Sequence, residues 1–96
     1  MADPRFEWDL RKSRSNRAKH GVSFEEARSA FLDENARVIP DSDHIGEARF
    51  VLLGLSIQLR IVVVCHCYRE SDGLIRIISA RKADPSEQQE YARYLP

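Results

Sequence analysis

The chain has 96 residues, with fifteen Lys/Arg against fifteen Asp/Glu and a formal net charge of zero. That length predicts one domain, residues 1–96, around one modest core, and the balanced charge argues against a generic polyanion binder. No apolar run approaches the roughly twenty residues of a membrane span, and Met1-Ala2-Asp3-Pro4-Arg5 lacks the apolar stretch of a signal peptide. Charge is nevertheless uneven. Six Lys/Arg lie between Arg5 and His20 against Glu7 and Asp9, and the stretch from Asp33 to Glu47 is acidic. A neutral total can therefore hide a basic face.

Arg5-Phe6-Glu7-Trp8-Asp9 reads as a short strand with Phe6 and Trp8 on one side and Glu7 on the other. Asp9 then caps a very polar helix, Leu10–His20, which Gly21 ends as a left-handed residue. Lys19 and His20 fall in its last turn, where cations are favoured. Ser23 and Glu26 read as a capping box for a second helix over Phe24–Leu32, with Phe24, Ala27, Arg28 and Phe31 on one face. Ala36–Ile39 is a short strand closed by Pro40. An acidic loop with His44 follows, then strands over Ala48–Gly54 and Leu59–Arg69. The turn signal Ser71-Asp72-Gly73 makes Leu74–Lys82 the second arm of a hairpin. Asp84 and Pro85 open a final helix to about Tyr94. This order predicts an α+β domain: a mainly antiparallel sheet of four to five strands, two N-terminal helices and one C-terminal helix, with helices over one face.

The cysteines in Cys65-His66-Cys67 sit at i and i+2 of a strand and are poorly placed to bridge each other. They read as reduced thiols of a cytoplasmic protein. His66 points away from both, so the trio makes no tetrahedral zinc site; no metal or other cofactor is expected.

Phe6-Glu7-Trp8-Asp9, Lys12, Asn16, Lys19-His20-Gly21-Val22-Ser23-Phe24-Glu25-Glu26-Ala27, Phe31 and Asp33 form one series of motifs. Asp41, His44, Glu47, Arg49-Phe50, Gly54, Ser56, Arg60, Arg69, Ile75-Arg76-Ile77-Ile78-Ser79-Ala80-Arg81, Glu87 and Tyr91 continue it. In this order and spacing the chain resembles the BrnT toxins of bacterial type II toxin–antitoxin systems. It departs from them at Glu34, where proline is common, at Leu59, where glycine is common, and at His66 and Cys67, where tyrosine and threonine are common. The first two changes are expected to alter loop shape only. The resemblance implies a fold similar to RelE-type ribonucleases, an RNA-cleaving activity that blocks translation, and a BrnA-like ribbon-helix-helix antitoxin in a 2:2 hetero-oligomer. Promoter DNA would be bound only through the antitoxin. The alternative is a degraded, non-catalytic subunit that acts with its antitoxin as a repressor.

Cleaving RNA without metal requires a base for the 2′-hydroxyl, cations for the phosphorane and an acid for the 5′-oxygen. The catalytic candidates are Arg81, Arg69, His20 and Arg49; Lys12, Lys19, Ser79 and Arg76 are candidate substrate-binding residues. Guanidinium suits phosphate through planar, bidentate donation. Each candidate has a plain structural role beside it: Arg81 pairing with Glu87, Arg49 pairing with Glu47, His20 capping a helix. Hairpin register decides which residues act together. A two-residue turn puts His66 opposite Ser79 and gathers Tyr68, His66, Ser79 and Arg81 on one face. A register shifted by one gathers Arg69, Ser79 and Arg81 and sends His66 to the other face.

Overall fold

The structure, a computed structural model, describes residues 5–41, 46–69 and 73–96. In chain order it runs β1 (Arg5–Glu7), α1 (Leu10–His20), α2 (Phe24–Ser29), a 3-10 turn (Ala30–Leu32), β2 (Arg37–Pro40), β3 (Phe50–Leu55), β4 (Ile61–Tyr68), β5 (Leu74–Lys82) and α3 (Pro85–Arg93). The five strands form one sheet in the order β1-β5-β4-β3-β2. All neighbours are antiparallel except β1, which runs parallel to β5 over Leu74–Arg76.

Caps fix the helices where the sequence places them. Asp9 accepts from the N–H groups of Arg11 and Lys12 at 2.8 and 3.1 Å, and Gly21 closes α1 at φ 73°. Ser23 accepts from Glu26 N–H at 3.0 Å. Glu26 does not return the bond; its carboxylate turns to Ser56 and Arg60 instead. The full reciprocal box is at α3, between Asp84 and Glu87. The second helix tightens into a 3-10 turn after Ser29 rather than running on to Leu32.

One face of the sheet carries the core: Val22, Phe24, Ala27 and Ala30 against Leu52, Val62, Val64, Ile77 and Ala80. Phe6, Trp8 and Phe31 pack on its margin. Gly54 lets the layers close, because a Cβ there would stand 3.0 Å from a Leu52 methyl and 3.1 Å from the Ala30 carbonyl oxygen. The helices are not all on this face. α3 crosses the opposite, outer face, over Ile39, Val51, Leu53 and Val63. Its carboxylate Glu87 grips Arg81 of β5 at one end, and Tyr94 stacks under Arg37 of β2 at the other, 3.7 Å from ring centroid to guanidinium carbon. Between them Tyr91 donates to Asp33 at 2.6 Å. The reason is compositional: Tyr91 is the one residue of α3 that is buried, so the helix is held by polar and aromatic grips rather than an apolar stripe.

The register of β4 and β5 is neither of the simple alternatives throughout. Cys65 pairs with Ser79 but His66 pairs with Ile77, leaving Ile78 as an extra residue in a bulge. The bulge keeps alternation on both sides of it. Arg69, Cys67, Cys65 and Val63 share the outer face with Arg76, Ser79 and Arg81, and His66 goes into the core side, fully buried. The grouping of His66 with Ser79 and Arg81 is thereby excluded. Cys65 and Cys67 lie on the face opposite Ala80, which points into the core.

Candidate functional site

α3 covers only the end of the outer face that bears Arg37, Leu53, Val63 and Arg81. The remainder presents Cys65 and Ser79 in one cross-strand pair and Cys67 and Arg76 in the next. Glu7 adjoins Arg76 through the parallel β1 pairing. β1 ends at Glu7, so beyond Arg76 the edge of β5 has no strand beside it. α1 takes that place.

Lys12, Ser15, Asn16, Lys19 and His20 follow one another at helical spacing and form one side of α1. With Ile78 and Ser79 they line a shallow groove of about 230 Å³. Lys12 and His20 stand about 12 Å apart along the axis by helical rise. Among the described residues, no salt bridge engages Lys12, Lys19 or His20. The groove thus brings together four of the residues singled out in the sequence, Lys12, Lys19, His20 and Ser79.

The arginines are arranged differently. Arg76 donates to Glu7 at 2.6 Å. Arg69 lies 3.9 Å from Glu7 and 4.0 Å from Glu47, half exposed. Arg49 keeps a buried Nε without a hydrogen-bond partner, and its charge reaches both thiols. These three therefore gather near the hairpin end of the outer face, around Glu7 and the cysteines. Arg81 stands apart from them. Both of its terminal nitrogens bond Glu87, at 2.7 and 2.9 Å. The pair stabilises both charges: the Glu87 bond holds Arg81 above its ordinary pKa, and the Arg81 bond holds the Glu87 carboxyl below its own.

The setting favours the protonated form of both thiols. Burial raises the Cys65 pKa. Burial and a hydrogen bond to the Glu47 carboxylate push Cys67 up to about 11. His66 donates through Nδ1 to Val64 O at 3.1 Å, and Nε2 meets Tyr68 Oη at 3.4 Å. Phe31, Phe50 and Tyr68 surround its ring. Burial lowers its pKa, which keeps the ring neutral, and it has no access to the outer face. His44 belongs to the residues outside those described. No group of three His, Cys, Asp or Glu among the described residues is arranged to hold a metal ion.

Two residues of this neighbourhood were not singled out as site residues in the sequence. Glu7 touches two of the arginines, and the Phe-Glu-Trp alternation already sends it away from the core. Asn16 is buried, and its amide makes three bonds: Nδ2 to Val22 O at 2.9 Å and to Ala80 O at 2.7 Å, with Ala80 N–H donating to Oδ1 at 3.1 Å. The sequence signals for it are its place in the family-like series of motifs and a helix without an apolar stripe, which must be held by something else.

The fold and site define a small α+β protein with an open sheet face bordered by a basic helix. The family model for the ribonuclease toxin BrnT of type II toxin–antitoxin systems matches residues 8–87. The chain belongs to this family. It is similar to the 1.1 Å crystal structure of the Brucella abortus ribonuclease toxin BrnT, with a TM-score of 0.65 and 27% identity, over 85% of this chain and 99% of that one. Comparison with curated proteins finds no match.

Proposed function

We propose that this chain is a metal-independent endoribonuclease that cleaves RNA and blocks translation, and that a ribbon-helix-helix antitoxin neutralises it. The observation that carries the reading is the groove in which α1 holds Lys12, Lys19 and His20 beside Ser79, with no salt bridge to these three among the described residues. A phosphodiester fits this donor set. His20 transfers a proton at the scissile phosphate, the two lysines stabilise charge on it, and Ser79 donates a hydrogen bond to a phosphoryl oxygen. Arg49, half-buried, lends the charge of its guanidinium to a neighbouring phosphate. Arg69, Arg76 and Arg81 each face a carboxylate that a phosphate would replace. The antitoxin covers the open outer face, forms a 2:2 complex with the toxin and alone contacts promoter DNA; the reaction takes place in the cytoplasm.

The test is incubation of purified, ribosome-free RNA with the chain in EDTA, beside its His20→Gln and Arg81→Ala variants. The wild type cuts RNA and leaves the same sequence in DNA intact, because DNA lacks the 2′-hydroxyl nucleophile. His20→Gln cuts about 10²-fold more slowly or worse, and Arg81→Ala loses less, since its guanidinium is shared with Glu87. Equal cleavage by wild type and His20→Gln overturns the assignment of His20. The pairing of Arg69, Arg76 and Arg81 with Glu7, Glu47 and Glu87 favours a second reading, a non-catalytic subunit that represses with its antitoxin. Expression without the antitoxin separates the two: growth arrest that His20→Gln relieves belongs to the nuclease, and unimpeded growth to the binding subunit.

A further inference from the structure

The basic side of α1 has no apolar means of keeping its place. Its buried residues are Ser13 and Asn16 alone, and neither offers hydrocarbon to the core. Asn16 sits at the middle of the groove-lining side, four residues after Lys12, three before Lys19 and four before His20. Its amide is bonded to the N–H and the C=O of Ala80 at once, as a neighbouring strand's peptide would be. Ala80 is the residue after Ser79. A third bond to Val22 O fixes the chain just beyond the helix.

We infer that Asn16 is a positioning residue of the proposed nuclease site: one amide sets the separation between the α1 cations and Ser79. The inference rests on the reading of that groove as the RNA site. The physical case is that a charged helix lying along a bare strand edge is free to slide unless a directional contact holds it. Each Ala80 bond is buried, so water does not compete for it. Losing them leaves a buried N–H and C=O unsatisfied and releases the helix from its register on β5. Lysines on a displaced helix still attract RNA. They no longer meet the phosphate that Ser79 holds, and small misplacements at a reacting centre are expensive in rate.

The test uses Asn16→Asp, which keeps the shape and the acceptor for Ala80 N–H but loses both donated bonds, and Asn16→Ser as a smaller replacement. Tyr91→Phe, remote from the groove, controls for lost stability. All are assayed well below their melting temperatures. Two readouts are taken: cleavage, split into kcat and KM, and the nuclear Overhauser contacts between α1 and β5 that report the seat of α1. Asn16 as a positioning residue gives kcat at least about tenfold lower with KM within about threefold, weakened α1–β5 contacts, and no such change in Tyr91→Phe. Wild-type kcat with intact contacts in a folded Asn16 variant overturns it, as does failure of both Asn16 variants to fold, which would make the residue a folding determinant. If the wild type cuts no RNA, the nuclease reading fails, and the contacts still decide whether Asn16 seats the helix.

Discussion

At φ 61°, Leu59 occupies the left-handed region that glycine enters freely and a leucine enters at a cost. It closes the turn between β3 and β4, where Leu59 N–H bonds Ser56 O at 2.9 Å and Ser56 N–H bonds Arg60 O at 2.8 Å. The side chain is 80% exposed, so no packing contact holds it there. Leu59→Gly is expected to stabilise the protein by about 0.5 kcal/mol after glycine's own entropy is subtracted, a rise of a few degrees in thermal midpoint. His66 gives the opposite kind of test. Its folded pKa lies below the ordinary value of 6.5 because burial disfavours the charged ring. The unfolded chain therefore binds a proton that the folded one refuses, and stability falls as pH drops below 6.5, levelling off below the folded pKa. Urea unfolding at pH 7.5 and 5.5 is expected to show this drop, and His66→Phe to reduce it. Sequence left the side of His66 open for a physical reason: the Ile78 bulge is a backbone event, and no residue type in Ile75–Arg81 announces it.

At the level of elements, the helix ends were legible because caps are local chemistry. Asp9, Gly21, Ser23, Asp84 and Pro85 all act where the sequence placed them. What each helix rests on was not legible, since the contacts join residues far apart in the chain. Glu26 illustrates this. Read as half of a capping box, it instead bonds Arg60 and Ser56. Burial opposes its ionisation, and those two bonds outweigh the burial, so its carboxyl sits below the ordinary value. Arg60→Ala leaves that buried carboxylate with Ser56 alone and is expected to cost about 3 kcal/mol in chemical denaturation, an order of magnitude for a broken buried pair. Gly54 gives a second element-scale test. With Leu52, the Ala30 carbonyl and Ala36 all within 3.1 Å of a new Cβ, Gly54→Ala is expected to destabilise by about 1–3 kcal/mol. A change as small on an exposed strand surface would be near neutral. The site divides in the same way. Its residue types were readable, and the gathering of Lys12, Lys19, His20 and Ser79 followed from helix spacing plus one edge contact. The Arg81–Glu87 pair was readable as well, whereas the partners of Arg69 and Arg76 at Glu7 come only from the fold.

Over the whole molecule, a neutral total and the proposed RNA binding are reconciled by placement: α1 holds no acid, and Glu7, Glu47, Glu87 and Glu90 pair with arginines. The proposed groove itself holds few of the cations that would release counterions. With Lys12, Lys19 and Arg49 as the contacts, log K for single-stranded RNA is expected to fall with log salt at a slope of about −2. Fluorescence anisotropy between low and moderate salt measures it, and a slope twice as steep would point to the paired arginines exchanging their carboxylates for phosphates. The parallel pairing of β1 with β5 has a consequence in time as well as space. Glu7, Lys12, Lys19 and His20 are synthesised before Arg76, Ser79 and Arg81. Contacts across so many residues form late. A ribosome that has passed His20 but not Arg76 therefore carries only half of the proposed groove, and the two halves can meet only after β5 has emerged.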